Sequence, residues 1–352
     1  MEKIMVVGAS GVLGKLVCTE LLRIFENHIH LIVTNNKAER GKKLADSFNG
    51  DIHFQYLDVN MEENVNQVVK NVDIVIILVR QKMPNIQLSC IENRILCVDV
   101  TPFYEFAEKV MELNERAENN HTASVIMSGF FPGLSGLMVK AAVSNFQDVT
   151  EVNVGLLQNT NAKAGLSGIL DMLTIIAQPV KFQNTVVAGF SKKRSMDFFT
   201  IKEKEVRLIY HSETMLLKDN VTAEPINYWT SWNKEAFNKQ VSLLRKMGLI
   251  GSMHKVNNKL LSMVVKHNLN KNEQAFLTVE VKGIVDNKER IKIFSLSTFS
   301  DYHTTAMVTA ALAKVVYHKN VKGVVCPFDI TNVDELLSII DCSEIVVEEV
   351  VK

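Results

Sequence analysis

Two groups of residues in this chain have the types and spacing that chemistry requires. The first is the run Gly8-Ala9-Ser10-Gly11-Val12-Leu13-Gly14. Glycines at this Gly-x-x-Gly-x-x-Gly spacing let the backbone turn tightly. A helix that begins at such a turn points its unpaired N–H groups and positive dipole end into it, which suits a pyrophosphate. Gly11 and Gly14 fall on the last two glycine positions of the dinucleotide fingerprint, while Ala9 stands at the first and Gly8 comes one place early. The second group is Asp99, Arg80 and the pair Tyr302-His303, which could move a proton or hold an anion. Asp99 reads either as a functional carboxylate at a strand end or as a cap for a helix beginning near residue 103. His303, with Tyr302 beside it and Tyr104 behind, is a candidate proton donor. The simpler reading is a partly exposed histidine following a capping Asp301. His211 and His254 are weaker candidates.

These residues need elements to position them, and the first half of the chain supplies an alternation of strands and helices. The apolar run 4–7 enters the glycine turn, and Leu13, Leu16, Val17, Leu21, Ile24 and Phe25 then recur at helical spacing. Residues 28–34 read as a second strand, which gives the turn the β-α-β context that it requires. An NAD-binding chain usually places an acid after this strand to hold the ribose 2′-hydroxyl. Here stand Thr34, Asn35 and Asn36, followed by Lys37 and Arg40. With no acid and two cations, a 2′-phosphate is tolerated, so NADP is the expected cofactor and NAD the alternative. The plainer reading is that Lys37, Arg40, Lys42 and Lys43 solvate a surface helix. Residues 52–57 form a third strand ending in Asp58-Val59, where this fold often brackets an adenine. The β-branched run 72–79 suits a strand buried on both faces, and Arg80 follows at its carboxyl edge, where ligands bind. A fifth strand, 95–100, carries Asp99 and leads to Thr101-Pro102. The helix after it has Phe103, Phe106, Ala107, Val110 and Leu113 at core spacing. A sixth strand, 123–128, runs into Gly129-Phe130-Phe131-Pro132-Gly133. The expected class is α/β, with an N-terminal doubly wound parallel Rossmann sheet.

Composition narrows the function. At 352 residues and 47% apolar side chains, the chain exceeds a single core, so two domains are expected. Lys plus Arg and Asp plus Glu are 39 each, which gives no global attraction to nucleic acid or to anionic membrane. The five cysteines form no Cys-x-x-Cys pair and sit beside no His at ligand spacing, so neither a metal site nor a disulfide framework is expected. The compartment expected is the cytoplasm. No apolar run approaches the roughly 20 residues of a membrane span.

From residue 150 the pattern changes. Short strands are expected at 152–157, 185–188, 206–210 and 214–217. Helices are expected at 234–247, with Asn233 as N-cap and Gly248 as stop, and at 256–267. Residues 275–285 and 290–298 alternate apolar and polar residues around Asp286-Asn287-Lys288, as a hairpin does. Such a sheet could pair with a second copy, so a homodimer is expected. The last long helix starts at Asp301, and the acidic end 344–349 reads as a solvated strand edge.

Taken together, GASGVLG at 8–14, CVDVT at 97–101 and SGFFPGLSG at 128–136 resemble the saccharopine dehydrogenase-like oxidoreductases. The resemblance extends loosely to Gly165-Leu166-Ser167-Gly168 before a helix, to 243–248, and to 304–311 with Gly323-Val324. It implies an N-terminal NAD(P)-binding Rossmann domain, 1–130, joined through Pro132-Gly133 and a helix over 134–146 to a mainly antiparallel α+β domain, 131–324, with 325–352 returning to the first. It also implies hydride transfer between a nicotinamide cofactor and a small metabolite with an imine, amine or carbonyl centre. The chain departs from the family at Cys326-Pro327-Phe328, where an acid commonly follows the proline. It also has no evident counterpart of the charged positions that hold amino-acid substrates. A protein that senses NADP without turning it over is the alternative. In sum, Gly8, Ser10, Gly11, Val12, Gly14, Asn35, Lys37, Arg40, Asp58, Val59, Arg80 and Pro132 are the expected cofactor residues, and Asp99, His303 and Tyr302 the expected catalytic ones.

Overall fold

The structure, a computed structural model, describes residues 1–218, 221, 223, 225–250 and 267–352. The chain divides into two compact units: Met1–Leu137 with His303–Asp341, and Met138–Tyr302 with Cys342–Lys352.

The first unit is a parallel sheet of seven strands: β1 Glu2–Val7, β2 Ile29–Asn35, β3 Ile52–Tyr56, β4 Ile74–Ile77, β5 Leu96–Asp99, β6 Ala123–Val125 and β15 Gly323–Val325. Their order across the sheet is β15-β6-β5-β4-β1-β2-β3. The order reverses between β1 and β4, the point at which the strand ends of a doubly wound sheet open a crevice. Strand β4 is apolar throughout, as suits a strand covered on both faces, and all four of its residues are buried. On one face Met5, Val7, Val75, Ile77 and Cys97 pack with Ile86 and Cys90 of the helix Asn85–Glu92. The helix Val12–Ile24 turns Gly14, Val17, Cys18, Leu21 and Ile24 inward at three- and four-residue intervals.

The second unit carries a mixed, mainly antiparallel sheet of seven strands in the order β10-β11-β12-β7-β13-β14-β16. These strands are β7 Asp148–Gln158, β10 Lys193–Asp197, β11 Glu203–Ile209, β12 Ile226–Trp232, β13 Ala275–Val285, β14 Lys288–Thr298 and β16 Val346–Val351. Among the strands of this sheet in the described residues, β12 and β7 pair in parallel and the other neighbours antiparallel. A hairpin of β8 Pro179–Phe182 and β9 Thr185–Ala188 lays Val180, Phe182 and Val187 on a cluster that includes Leu157, Met196, Phe198, Val206 and Trp229. The β13–β14 hairpin closes through Asp286 and Asn287, both at positive φ, the two-residue turn that matches strand twist.

The fold class is the one read from the sequence, but several elements differ. Of residues 214–217, expected as a strand, the first three belong to the short helix Glu213–Leu216 and Leu217 is its C-cap; there a buried Glu213 carboxylate accepts the Tyr228 hydroxyl at 2.9 Å. The helix expected from 103 through 113 is broken into Tyr104–Met111 and Asn114–Asn119, and that over 134–146 ends at Val143. Asn233 does not cap the helix Glu235–Lys246; Lys234 holds the cap position, and the Asn233 side chain accepts instead from Thr160. Strand β12 escaped the sequence reading because six of its seven residues are buried, so it shows no alternation. The C-terminal return also needs correction. The helix Val333–Ile340 belongs to the first unit, but β16 pairs with β14 in the second sheet. The expected helix 256–267 lies outside the described residues except for His267, and His254 lies outside them.

Candidate functional site

The glycine turn is built as its spacing requires. Gly8 lies at φ +91°, in the left-handed region, and the Gly11 N–H donates to the Gly8 carbonyl at 3.1 Å. Gly14 is where the helix comes down on the strand end: a Cβ there would stand 2.4 Å from Gly8 O and 2.6 Å from Ala9 O. Gly11 differs from both. It is exposed, at φ −69°, and a Cβ there would meet only Gly8 O at 3.4 Å, an ordinary contact. The protein's own packing therefore does not demand glycine at position 11. Gly11 is also the N-cap of Val12–Ile24 and offers the first helical amides no side-chain acceptor.

At the end of β2, where an acid would hold a ribose hydroxyl, Asn35 links the two neighbouring segments. Its Nδ2 donates to Ser10 Oγ at 2.5 Å, and its Oδ1 accepts the Lys37 N–H at 2.8 Å. Lys37 and Arg40 are exposed on the first turn of the helix Ala38–Ala45. Asp58 is engaged locally, its Oδ1 accepting the Asn60 N–H at 3.0 Å, while Val59 packs against the core of the first unit. Arg80 lays its guanidinium over the Phe103 ring, 4.3 Å from the centroid.

Asp99, at the carboxyl end of β5, is 1% exposed. Its Oδ1 accepts the Thr101 N–H at 2.7 Å and its Oδ2 accepts Gln87 Nε2 at 2.5 Å. Gln87 in turn accepts Gln81 Nε2 at 3.0 Å, so a polar relay joins the loops after β4 and β5. Burial raises the Asp99 carboxyl to about 6 against the pull of these donors. Asp99 does not cap the next helix, whose N-cap is Phe103. Beyond β6, the Gly129 N–H donates to Pro132 O at 3.0 Å and Gly133, at φ +123°, lies so close to Gly129 that a Cβ would stand 2.3 Å from its carbonyl. The helix Asp301–His318 braces this loop, Thr309 Oγ1 donating to Ser128 O at 2.8 Å.

His303 and Tyr302, adjacent in sequence, fall in different units. His303 Nε2 pairs with Glu20 Oε1 at 2.7 Å, and Glu20, 4% exposed, also receives Arg23 Nε at 2.7 Å. Burial would raise the Glu20 carboxyl, but the hydrogen bonds from His303 and Arg23 outweigh it and hold the group below its ordinary value. Glu20 lies eight residues past Val12, about 12 Å down the helix from the glycine turn. Through this contact His303 locks two helices of the first unit together. Tyr302 belongs to the second unit. Its Oη is 3.5 Å from Gly165 O, over the start of the helix Leu166–Ala177, and a Cβ on Gly168 would overlap it. Burial raises the Tyr302 phenol well above its ordinary value. Gln87, Thr309 and Glu20 escaped the sequence reading. Glu20 alone had a signal, as an acid on the apolar stripe of Leu16, Val17, Leu21 and Ile24.

The class defined by this turn and sheet is a dinucleotide-binding Rossmann domain. Residues 4–125 match the family described as saccharopine dehydrogenase NADP binding domain. That match lies within the first unit and makes it similar to the NADP-binding domain of that family. Among solved structures it is similar to the apo histidine-tagged saccharopine dehydrogenase (L-Glu forming) from Saccharomyces cerevisiae, with TM-score 0.71, 13% identity and 100% of both chains covered. It is also similar to the C. glutamicum DAP dehydrogenase in complex with DAP, with TM-score 0.50, 12% identity, and 96% of this chain and 95% of that one covered. An engineered D-amino acid dehydrogenase bound to NADP+ gives TM-score 0.50 and 12% identity over 96% of this chain and 98% of that one. At these identities the likeness is one of fold. Compared by sequence with curated proteins, the chain matches none.

Asp99 makes stability depend on pH. Its carboxyl titrates at about 6 in the fold and near 3.9 when unfolded, so between these values the folded chain keeps a proton that the unfolded chain has released. The contribution is complete below about pH 4 and lost as pH rises to about 6, on the order of 3 kcal/mol. In urea unfolding across this range, Asp99→Asn gains stability relative to the parent as pH rises and levels off above pH 6. Parallel profiles for the two proteins would contradict the assignment. Asp301, also raised to about 6 by burial, contributes equally to both.

Proposed function

We propose that the chain is an NADP-dependent oxidoreductase that moves a hydride between the nicotinamide and a small metabolite with an imine, amine or carbonyl centre. One observation carries this reading: Gly11 is a glycine that the protein's own packing does not require, at an uncapped helix start in the turn of an NADP-binding domain. An absent side chain there leaves room for a phosphate to approach the first-turn amides. Gly8, Ser10, Gly11, Val12 and Gly14 would hold the pyrophosphate; Asn35, Lys37 and Arg40 the 2′-phosphate; Asp58 and Val59 the adenine side. Arg80 and the Pro132 loop would border the nicotinamide end. When bound, the cofactor supplies or accepts the hydride. Asp99 acts as a positioning residue, fixing Gln87 and the Thr101 turn. The similar structures, named as a DAP dehydrogenase and a D-amino acid dehydrogenase, support a substrate with an amine or imine centre.

A specific observation favours a second reading, binding without turnover. The three residues expected to move protons are all engaged internally: Asp99 with Gln87 and Thr101, His303 with Glu20, and Tyr302 with Gly165. The five free cysteines, four of them buried, support a reducing cytoplasm as the compartment. Among the described residues no helix is long and apolar enough to cross a membrane. Edge strand β16 exposes Val346, Val347 and Val351, which supports a homodimer formed through the second unit. Sedimentation equilibrium should then return twice 39.6 kDa, and a monomer mass at micromolar concentration would remove the dimer.

Gly11→Ala should leave the melting temperature within about a degree of the parent while weakening NADPH roughly tenfold, about 1.4 kcal/mol. Unchanged affinity would refute the role of the turn. Arg40→Ala should weaken NADPH roughly tenfold and leave NADH unaffected, and equal losses would refute the 2′-phosphate assignment. Oxidation or reduction of the cofactor across a panel of amino acids, imines, aldehydes and ketones decides between the two readings. NADPH binding with no turnover on that panel would favour the sensor.

A further inference from the structure

Far from the glycine turn, β2 and β3 bring together three side chains that the cofactor reading does not use. His30 is the second residue of β2, His53 the second of β3, and Asp51 immediately precedes β3. The two strands are paired in parallel, with Ile32 opposite His53. Asp51 stands between the imidazoles, Oδ2 at 2.6 Å from His30 Nδ1 and Oδ1 at 2.8 Å from His53 Nε2. The rings stack with centroids 4.5 Å apart and planes 25° from parallel, so both face the same carboxylate. The nitrogens and a carboxylate oxygen all lie within 4.8 Å of one another.

We propose that His30, Asp51 and His53 form a zinc site that ties the edge strand β3 to β2. Two imidazoles and one carboxylate are a donor set for Zn²⁺ and its borderline neighbours, whereas Mg²⁺ and Ca²⁺ take oxygen ligands. Ligand atoms around a tetrahedral zinc with bonds of about 2.0 Å stand roughly 3.3 Å apart. The present N–O distances of 2.6 and 2.8 Å therefore need to open by about half an ångström. The side chains have room to do so: they are 26%, 45% and 61% exposed for His30, Asp51 and His53. Their exposure also admits a hydrated ion and leaves its fourth position to water. β3 is the open edge of the first sheet, and a clip at its amino end would hold that edge where no further strand does. His30 lies five residues before Asn35, about 17 Å along the strand, so the metal serves structure and not the chemistry at the carboxyl ends. The 21 residues that separate His30 from Asp51 hid the cluster from a search for local ligand spacing.

The test is titration of metal-stripped full-length protein with ZnCl₂, read by calorimetry and by melting temperature. The expected result is one Zn²⁺ per chain and a higher melting temperature, because the ion binds the folded state. Both effects should be lost in His53→Ala and Asp51→Asn and retained in Cys342→Ser, which controls for the half-exposed thiol. His53 is mostly exposed, so its variant folds, and circular dichroism verifies this. Absence of stoichiometric binding, or binding that survives His53→Ala, would overturn the proposal. So would binding lost in Cys342→Ser. NADPH affinity should be the same with and without zinc, which separates this test from that of the cofactor site.

Discussion

The first unit depends on the contact between the start of its first helix and the end of its first strand. Gly14 sits against the carbonyls of Gly8 and Ala9, closer than any side chain allows. That approach sets the helix over the switch point of the sheet and aims its amino end at the strand ends. The far end of the helix is fixed as deliberately. Glu20 takes both His303 and Arg23, Arg23 also reaches the Ile340 carbonyl at 2.8 Å, and Lys314 reaches the Ile24 carbonyl at 2.9 Å. Residues from the C-terminal part of the chain thus lock the helix that the N-terminal turn begins. A buried acid with two hydrogen-bonding partners is costly to leave half-made, which makes this return of the chain part of the first unit's rigidity.

Around the strand ends, polar groups hold one another. Asn35 ties the glycine turn to the β2 loop, the Gln81-Gln87-Asp99-Thr101 relay ties the β4 and β5 loops, and Thr309 braces the loop after β6. Each contact fixes a loop that would otherwise move, as a preorganised binding cleft requires. Asp99, the acid expected to do chemistry, is among these groups: it is 1% exposed and holds its neighbours.

Much of the first unit was legible in the sequence because its signals are local. Glycine spacing, continuous β-branched runs and apolar helix stripes each report on a few neighbouring residues, and the strands they marked pair in Rossmann order. The second unit was legible where a face meets solvent, as in the β13–β14 hairpin, and illegible where both faces are buried, as in β12. The site was harder for a related reason. Glu20, the partner of His303, and Gln87, one partner of Asp99, are 283 and 12 residues away, and no short-range pattern announces them. Glu20 was the exception, visible as an acid on a buried stripe yet silent about its partner. The C-terminal strand was misassigned because its pairing with β14 is a long-range choice that its own composition does not record.

The central claim is that the glycine turn, at its exposed Gly11, and the cations after β2 together receive NADP. Hydrogen–deuterium exchange of the full chain with and without saturating NADPH tests it most directly. The account predicts slowed exchange in peptides covering residues 8–15 and 34–40. Exchange unchanged in both segments at saturating NADPH would contradict it.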